Sequence, residues 1–331
     1  MYRFHLGLHD LAAISFAWSP LHETVLSLRM WTHPGAYPAQ QPWFRRLRPL
    51  FEQLEGQQLL RSLTSSNRYV PDFLTPRPTG PAPSFRAELS VLRATDPATL
   101  RAELEPAFLP HDGALPPLLA EGLAEPSQLL ERICLALEEY WEECLAPHWW
   151  PRARSVLEAD IVYRARTLAQ QGVAALLTEL DRKLAWSDGV LTIDRDFGRP
   201  GLEVDVEVSQ RGLVFIPTCF VSAVNTSISA DFPPSISYPA RGQGTMAGAL
   251  DPPAGPRALE QLIGAPRARL LTLLDEPVST TELALRLGVT PGAVSQQLAV
   301  LLANRLVTRA RHGRSVLYLR SPLGAELCTR S

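Results

Sequence analysis

Two stretches of helical periodicity meet within three residues near the end of the printed sequence. The segment LALRLGVTPGAVSQQLAVLLANRLV covers residues 283–307, and its apolar residues recur every three or four positions on both sides of Gly288. Glycine ends helices well because it adopts the left-handed conformation without strain, and Thr290 followed by Pro291 is typical of a helix start. This spacing predicts two short helices joined by a tight turn, with Val289 packed into the corner. The buried stripe of the second helix would consist of Val294, Leu298, Leu301 and Leu302.

Further local signals flank this helix pair. Ser279 and Glu282 have the spacing of a capping box before the first helix. Residues 305–320, RLVTRARHGRSVLYLR, place Val316 and Tyr318 on one face of a strand and Ser315 and Leu317 on the other, which predicts a β-hairpin that turns at His312-Gly313. Two helices joined this tightly and followed by such a hairpin, or wing, predict a winged helix-turn-helix over residues 257–331.

Charge is distributed unevenly along the chain, although the formal net charge is only -2. Residues 256–331 contain ten arginines against five aspartates and glutamates, which gives this segment a net charge of +5 and leaves -7 for the remainder. A basic segment attached to an acidic body predicts that the C-terminal region binds a polyanion.

The polar positions of the second predicted helix suit contact with double-stranded DNA. Glutamine can form two hydrogen bonds with adenine, a serine hydroxyl can bond to several base edges, and small residues allow close approach. A helix N-terminus and arginines at a hairpin tip favour phosphates. The candidate DNA-contacting residues are Thr290, Gly292, Ala293, Ser295, Gln296, Gln297, Arg309, Arg311, His312 and Arg314. The alternatives are a solvated helix face with a solvated turn, or a winged helix that docks another protein.

These motifs resemble a known family. The segment TTELALRLGVTPGAVSQQLAVLLANRLVTRARHGRSVLYLR, within residues 257–328, is similar to the ArsR-type winged helix-turn-helix of bacterial transcription regulators. With SPLHETVLSLR, YVPDFLTP, RGLVFIP and ISYPARG ahead of it, the whole chain resembles actinobacterial-type regulators that bear a large N-terminal domain of unknown function. The resemblance implies a homodimer with helices 257–263 and 322–328 at the two-fold axis, and a pseudo-palindromic operator. Metal-sensing members carry a cysteine pair or a Cys/His cluster in the first helix of the motif or in the terminal helix. Here STTELALRLG has neither and Cys328 stands alone, so we expect no metal site of that design.

The first 240 residues predict a larger domain of mixed structure. Ser19 followed by Pro20 marks a helix start, and residues 86–185 show helical periodicity. The period then changes from 3.6 to 2, and SQRG at residues 209–212 is a turn signal, so we predict a small antiparallel sheet over about residues 189–240. The Gly/Pro-rich residues 241–256 predict a linker. The predicted fold class is therefore α+β, with a mostly helical N-terminal domain, a small antiparallel sheet and a C-terminal winged helix-turn-helix.

Three tryptophans in this domain form a candidate ligand pocket. Trp141, Trp149 and Trp150 lie in the acid-rich segment EEYWEECLAPHWW, for which the alternative is a solvated face over a core.

Two polar groups in the same domain could carry metal or acid–base chemistry. His5 and His9 have the spacing of a helical metal site, but Gly7 between them favours a strand. The acidic residues between positions 194 and 207 fit the outward face of strands better than paired catalytic carboxylates. The sequence contains no GxGxxG, P-loop, HExxH or GxSxG motif. We therefore expect no cofactor, no metal and no catalytic residue.

Together these features predict a DNA-binding transcription regulator, with repression as the expected sign, that acts as a homodimer. The N-terminal domain would sense a small molecule, bind a partner or stabilise the dimer. The alternative is an enzyme or a protein-interaction scaffold whose winged helix is a docking module. The sequence shows no signal peptide and no membrane span, and its four cysteines have no CxxC spacing, so we expect a cytoplasmic protein with reduced thiols and no membrane partner.

Overall fold

The computed structural model describes residues 1–66, 70–194, 203–227, 234–250, 256–312 and 315–329. The chain divides into two units, Met1–Ala249 and Leu250–Ser331, and the boundary falls inside the predicted linker 241–256. Helices and strands occur in both units, so the fold is α+β.

Helices make up most of the first unit. In the described ranges they are α1 (Leu8–Ala12), α2 (Pro20–Ser27), α3 (Arg29–Thr32), α4 (Gln41–Phe51), α5 (Gln57–Leu63), α6 (Phe85–Arg93), α7 (Pro97–Asp112), α8 (Pro117–Gly122), α9 (Pro126–Tyr140), α10 (Ala146–His148) and α11 (Trp150–Leu180). The predicted cap of α2 is confirmed, because the Ser19 hydroxyl accepts a hydrogen bond from the His22 amide at 2.9 Å. All eight residues of α2 are buried, which makes this helix central to the unit.

The strands of the first unit form two sheets. They are β1 (Tyr2–His5), β2 (Ser15–Phe16), β3 (Leu184–Ser187), β4 (Val190–Ile193), β5 (Val204–Glu207), β6 (Val214–Thr218), β7 (Asn225–Thr226) and β8 (Ser235–Pro239). Among the described residues, each sheet has four strands, in the orders β3-β4-β1-β5 and β2-β6-β8-β7. Both sheets are mixed, since β1 pairs with β5 in parallel and β6 pairs with both β2 and β8 in parallel.

The prediction of one small antiparallel sheet over about residues 189–240 was therefore wrong. The sequence between β5 and β6 does turn at SQRG, where Ser209 and Gln210 have φ angles of 51° and 66°. The two strands that flank this turn nevertheless belong to different sheets. The physical reason is that β1 and β2 come from the first sixteen residues, and each provides a parallel partner that the local pattern could not predict.

An ion pair stabilises the parallel pairing of β1 with β5. The Arg3 guanidinium donates two hydrogen bonds to Asp205, from Nε and Nη2, each 2.9 Å long. These bonds, together with the smaller effect of a hydrogen bond to His5, hold the pKa of Asp205 well below its usual range. The Asp205 carboxylate of β5 therefore serves as a partner for Arg3 and His5 of β1.

The two sheets share one apolar core with the end of α11. Tyr2 and Phe4 of β1 meet Phe215 of β6 and Tyr238 of β8, and Leu176 and other residues of α11 close the same cluster. Burial of this continuous apolar surface is the main favourable term that holds the sheets together.

Helix α11 lies within residues 86–185, whose periodicity predicts helices, but it breaks at Gly172. This residue has φ 83° and ψ 177°, a conformation that glycine adopts readily and other residues do not. After the break, the helical turns that follow Gly172 contact the turns that precede it. The Tyr163 hydroxyl, for example, donates a 2.6 Å hydrogen bond to Glu179 Oε1. The Nη1 atom of Arg164 also lies 3.3 Å from Glu179 Oε1.

A π-helical stretch, Trp141–Leu145, connects α9 to α10. Pro147 and Pro151 follow it, and neither can donate a backbone hydrogen bond to the preceding turn. The wider π turn shifts the phase of the helix before these prolines.

The first half of the predicted linker is part of the first unit. Met246 is buried, and its carbonyl oxygen accepts a 2.9 Å hydrogen bond from the Trp43 indole nitrogen. The Arg241 amide donates to the Asp160 carboxylate at 2.8 Å. Gly242 has φ 93°, so it allows a tight turn of the chain. This part of the segment is therefore a packed turn and not a flexible tether. Residues 251–255 of the predicted linker lie outside the described residues.

In chain order, the second unit begins and ends with helices, and its short strands form a small sheet. Its elements are α12 (Pro256–Ile263), α13 (Ala265–Leu273), β9 (Val278–Ser279), α14 (Thr280–Leu287), α15 (Pro291–Ala303), β10 (Val307–His312), β11 (Ser315–Arg320) and α16 (Pro322–Thr329). The sheet order is β10-β11-β9, and both pairings are antiparallel. Its core includes Leu271 of α13, Leu283 of α14, Leu298 of α15 and Val307 of β10.

A buried carboxylate of the first unit makes its stability depend on pH. Glu88 on α6 is buried, and its Oε2 accepts a 3.0 Å hydrogen bond from the Leu21 amide. Burial raises the pKa of Glu88 to about 7. Because the unfolded chain then loses this proton at lower pH than the folded chain does, stability falls as pH rises from about 4.5 towards 7.

We therefore expect Glu88→Gln to increase the free energy of unfolding at pH 8 by about 2 kcal/mol and to reduce its decline between pH 5 and 7. Urea unfolding followed by tryptophan fluorescence at several pH values measures both effects. Glu121→Gln, at an exposed position on α8, is the control and should leave the profile unchanged. A Glu88→Gln profile parallel to that of the parent would contradict the assignment. Burial also raises the pKa of Glu23. Glu23 therefore accounts for any decline of the unfolding free energy with pH that remains in the Glu88→Gln variant.

Candidate nucleic-acid interface

Helices α14 and α15 are joined by three residues, and local sequence signals set both ends of the connection. The capping box is confirmed, since Glu282 Oε2 accepts from the Ser279 amide at 2.9 Å and the Ser279 hydroxyl accepts from the Glu282 amide at 3.3 Å. These hydrogen bonds to Ser279 lower the pKa of Glu282. Gly288 ends α14 with φ 64°, and the Thr290 hydroxyl accepts from the Ala293 amide at the start of α15. The predicted roles of Gly288, Thr290 and Pro291 are thus confirmed.

One face of α15 packs into the core of the second unit. Val294, Leu298 and Leu301 are buried, and Leu302 packs against the same cluster while half-buried, so the predicted stripe is confirmed. Val289 does not fill the corner as predicted, because its side chain is 48% exposed. The buried Ala284 provides the close approach at that corner instead.

The opposite face of α15 is exposed and has no charged side chain. Gly292, Ala293, Ser295 and Gln296 are all exposed, as are Pro291 and Ala299. The sequence from Pro291 to Ala303 contains no ionisable residue. This uncharged face, which we call the α15 face, therefore offers small side chains, one hydroxyl and one amide to whatever approaches it.

The two neighbouring glutamines of α15 have different surroundings. Gln296 is exposed, whereas Gln297 is half-buried. The Gln297 Oε1 atom accepts a 3.3 Å hydrogen bond from Arg267 of α13. Arg267 also donates to the carbonyl oxygen of Ile263 at the end of α12. Gln297 is thus directed towards α13, and Gln296 remains available to a ligand of the α15 face.

Strand β10 presents two cationic side chains. Arg309 and Arg311 are both exposed, and they lie on the same face of the strand because they are two residues apart. Their cross-strand neighbours are Tyr318 and Val316. Neither arginine forms a hydrogen bond or an ion pair with another residue that the structure describes. Their charge is therefore available to an anion from outside the unit.

The tip of the strand pair is described in part. His312 is the last residue of β10 and pairs with Ser315 of β11. Gly313 and the candidate Arg314 lie outside the described residues.

The three candidate pocket tryptophans do not share one site. Trp149 is fully buried in the core, where its ring meets Trp43 edge-on at 5.3 Å and its indole nitrogen donates to Glu23 Oε2 at 3.2 Å. Trp141 and Trp150 are half-buried and lie 5.5 Å apart at the side of a surface cleft. The prediction was wrong for Trp149 because adjacent residues of a helix project about 100° apart.

This cleft, which we call the aromatic cleft, has a volume of about 500 Å³ and includes side chains that sequence reasoning missed. Its wall contains Trp18, Phe85, Arg86, Trp141, Trp150 and Arg154. Because Trp18 and Phe85 precede Trp141 by more than fifty residues, no local pattern could have predicted their proximity.

Buried polar groups in the first unit form a second cluster, around Glu23 of α2. Its Oε1 accepts from the Cys219 amide at 2.8 Å and from the Thr218 hydroxyl at 2.5 Å, and its Oε2 accepts from Trp149. Burial raises the pKa of Glu23, and these bonds partly offset that effect. The cluster connects α2 to β6, and it is enclosed by protein on all sides, so we assign it a structural role.

Residues 1–66, 70–194, 203–227, 234–250, 256–312 and 315–329 contain no group of three or more His, Cys, Asp or Glu side chains that could hold a metal ion. His5 lies in β1 and bonds to Asp205 at 2.9 Å, while His9 lies in α1. The same described residues contain no helix that is both long and apolar enough to span a membrane. Comparison of the whole chain with protein-family models, with curated proteins and with solved structures found no match in any of the three.

Proposed function

We propose that the chain is a DNA-binding transcription regulator, with repression as the expected sign of its action, and that the second unit is a winged helix-turn-helix of the ArsR type. The observation that supports this proposal best is the exposed, charge-free α15 face in the same unit as two exposed arginines on β10, Arg309 and Arg311. An α-helix fits the major groove of B-form DNA, and short uncharged side chains let its backbone approach the base edges. Exposed arginines on an adjacent hairpin supply contacts to phosphates that do not depend on sequence.

Within this proposal the residues divide into two roles. Gln296 and Ser295 on the α15 face would contact base edges, and Ala293 would contact a thymine methyl group. Thr290 caps the start of α15, where free backbone amides favour a phosphate. Arg309 and Arg311 would contact phosphates.

We further propose that the protein acts as a homodimer and that the first unit senses a signal. Leu262 on α12 is 70% exposed and Leu323 on α16 is 51% exposed, and these are the helices that the family resemblance implies at a two-fold axis. Large exposed apolar side chains commonly mark interaction surfaces. A dimer would contact a pseudo-palindromic operator with two α15 faces.

A second function has its own support. Leu285 on α14 is 84% exposed and Val300 on α15 is 42% exposed, so both helices also present exposed apolar side chains. Such side chains suit a protein partner better than they suit DNA, since interface cores are apolar and depleted of charge. The second candidate is therefore an enzyme or interaction scaffold in which this unit docks a protein.

The two glutamines provide a sharp test of the DNA proposal. We expect Gln296→Ala to lower the preference for a specific site over random DNA by about tenfold, because one two-bond contact with a base contributes roughly 1–3 kcal/mol. Gln297→Ala removes the same side chain one position along, where it bonds to Arg267, and should leave the preference unchanged. Fluorescence anisotropy with DNA from the upstream region of its own gene measures both.

Three results would count against the DNA proposal. The first is an absence of DNA binding at low salt. The second is an equal response to the two substitutions. The third is binding without any preference for upstream DNA. Any of these would favour the docking function.

A further inference from the structure

We infer that the aromatic cleft of the first unit binds a small molecule that combines a planar aromatic ring with a carboxylate. The inference concerns the first unit alone and goes beyond the proposed function, which leaves the signal unspecified. It rests on three observations: the arrangement of the rings, the volume of the cleft and the sign of its charge.

The rings form a preorganised apolar corner. Trp141 stacks on Phe85, with ring centroids 4.7 Å apart and an interplanar angle of 4°. Trp150 meets Trp141 at 62°, with centroids 5.5 Å apart. Because Phe85 holds one face of Trp141, the indole cannot rotate freely, and a planar ligand can stack or pack edge-on without first ordering the side chains.

The size of the cleft suits a small molecule. Its volume of about 500 Å³ lies within the range of roughly 300–1,000 Å³ that is typical of small-molecule sites. Trp18 also lines the cleft, and the Arg154 guanidinium carbon lies 5.4 Å from the centre of its ring. The lining therefore brings Trp18 together with Phe85, Trp141 and Trp150, and such aromatic surface suits a flat ligand.

The charge of the lining selects an anion. Arg86 and Arg154 are the charged residues of the lining, which contains no acidic side chain among the described residues. Each arginine also contacts a glutamate outside the cleft, Arg86 with Glu142 at 3.2 Å and Arg154 with Glu158 at 3.5 Å. A guanidinium has five N–H donors, so one such contact leaves donors for a ligand carboxylate.

Equilibrium dialysis of the full-length protein, with no DNA present, tests the inference directly. The probe is 2-naphthoate, and the uncharged 2-naphthamide and the non-aromatic cyclohexanecarboxylate are its matched controls. We expect 2-naphthoate to bind at least about tenfold more tightly than either control, since loss of the charge or of the ring removes one class of contact. Because DNA is absent, failure of this test and failure of the DNA proposal are separate results.

Two substitutions locate the probe. Trp150→Leu and Arg154→Gln should each weaken binding of 2-naphthoate by about tenfold, and Arg154→Gln should bring 2-naphthoate and 2-naphthamide to similar affinities. Arg132→Gln, at an exposed position of α9 outside the cleft, is the control for net charge and should have no effect. Arg154 is exposed, so its substitution tests the site even if Trp150→Leu impairs folding. Absence of binding by both 2-naphthoate and indole-3-carboxylate, or binding that neither substitution weakens, would overturn the inference.

Discussion

Simultaneous replacement of Arg309 and Arg311 by glutamine should lower the affinity for DNA by about a thousandfold near 0.1 M salt. Each arginine that neutralises a phosphate releases a counterion, and the logarithm of the affinity then changes by about 0.9 per tenfold change in salt. In the proposed dimer the two substitutions remove four such contacts. The slope of affinity against salt should therefore decrease by between about 3 and 4.

The salt titration distinguishes a local contact from a general effect of charge. Arg45→Gln combined with Arg46→Gln on α4 removes the same charge from exposed positions of the first unit. This control should change neither the slope nor the affinity by more than a few-fold, because the proposal assigns no phosphate contact to the first unit. If the control reduces the slope as much as the β10 variant does, binding does not depend on contacts at β10.

The second large effect is expected from the buried face of the same helix. Leu298 is fully buried among residues of α13, α14 and β10, so Leu298→Ala should reduce the free energy of unfolding of the second unit by about 4 kcal/mol. The removed methine and methyl groups lose their transfer free energy, and the cavity adds a further cost. The matched control is Val300→Ala two residues along, where the side chain is half-exposed and the expected cost is below about 1 kcal/mol.

The distribution of tryptophans makes this measurement selective. All seven tryptophans precede residue 187, so tryptophan fluorescence reports on the first unit alone. Hydrogen exchange of the α14 and α15 amides reports on the second unit. We expect Leu298→Ala to accelerate this exchange strongly while tryptophan fluorescence stays at the value of the parent. Similar exchange rates in Leu298→Ala and Val300→Ala would show that α15 is not packed through the stripe described above.

Local physical chemistry explains which parts of the fold were predictable. The ends of α2, α14 and α15 depend on side chains within three residues of the cap, such as Ser19 and Thr290, so the sequence contains the whole interaction. The buried stripe of α15 was predictable for a similar reason, because helical periodicity is a property of one short segment.

The features that were not predictable depend on distant partners. The parallel pairing of β1 with β5 joins residues about 200 positions apart, and the local pattern carries no information about that pairing. The role of Gln297 depends on Arg267, thirty residues earlier. The aromatic cleft combines a predictable and an unpredictable part. Trp141 and Trp150 are close in sequence, whereas Trp18 and Phe85 belong to distant segments of the chain.

The π-helical stretch Trp141–Leu145 has a consequence for how this chain can change in evolution. A π turn holds one residue more than an α-helical turn over nearly the same rotation, so loss of Glu142 or Glu143 would restore an ordinary α-helical turn without rotating the helix that follows. Trp149 would then keep its direction towards Glu23, and Trp150 would keep its contact with Trp141. A one-residue deletion between the π turn and Gly172 would instead rotate the helical residues that follow it by about 100°. Among descendants of a common ancestor, single-residue gaps should therefore fall within the π turn and not in the helix between it and Gly172.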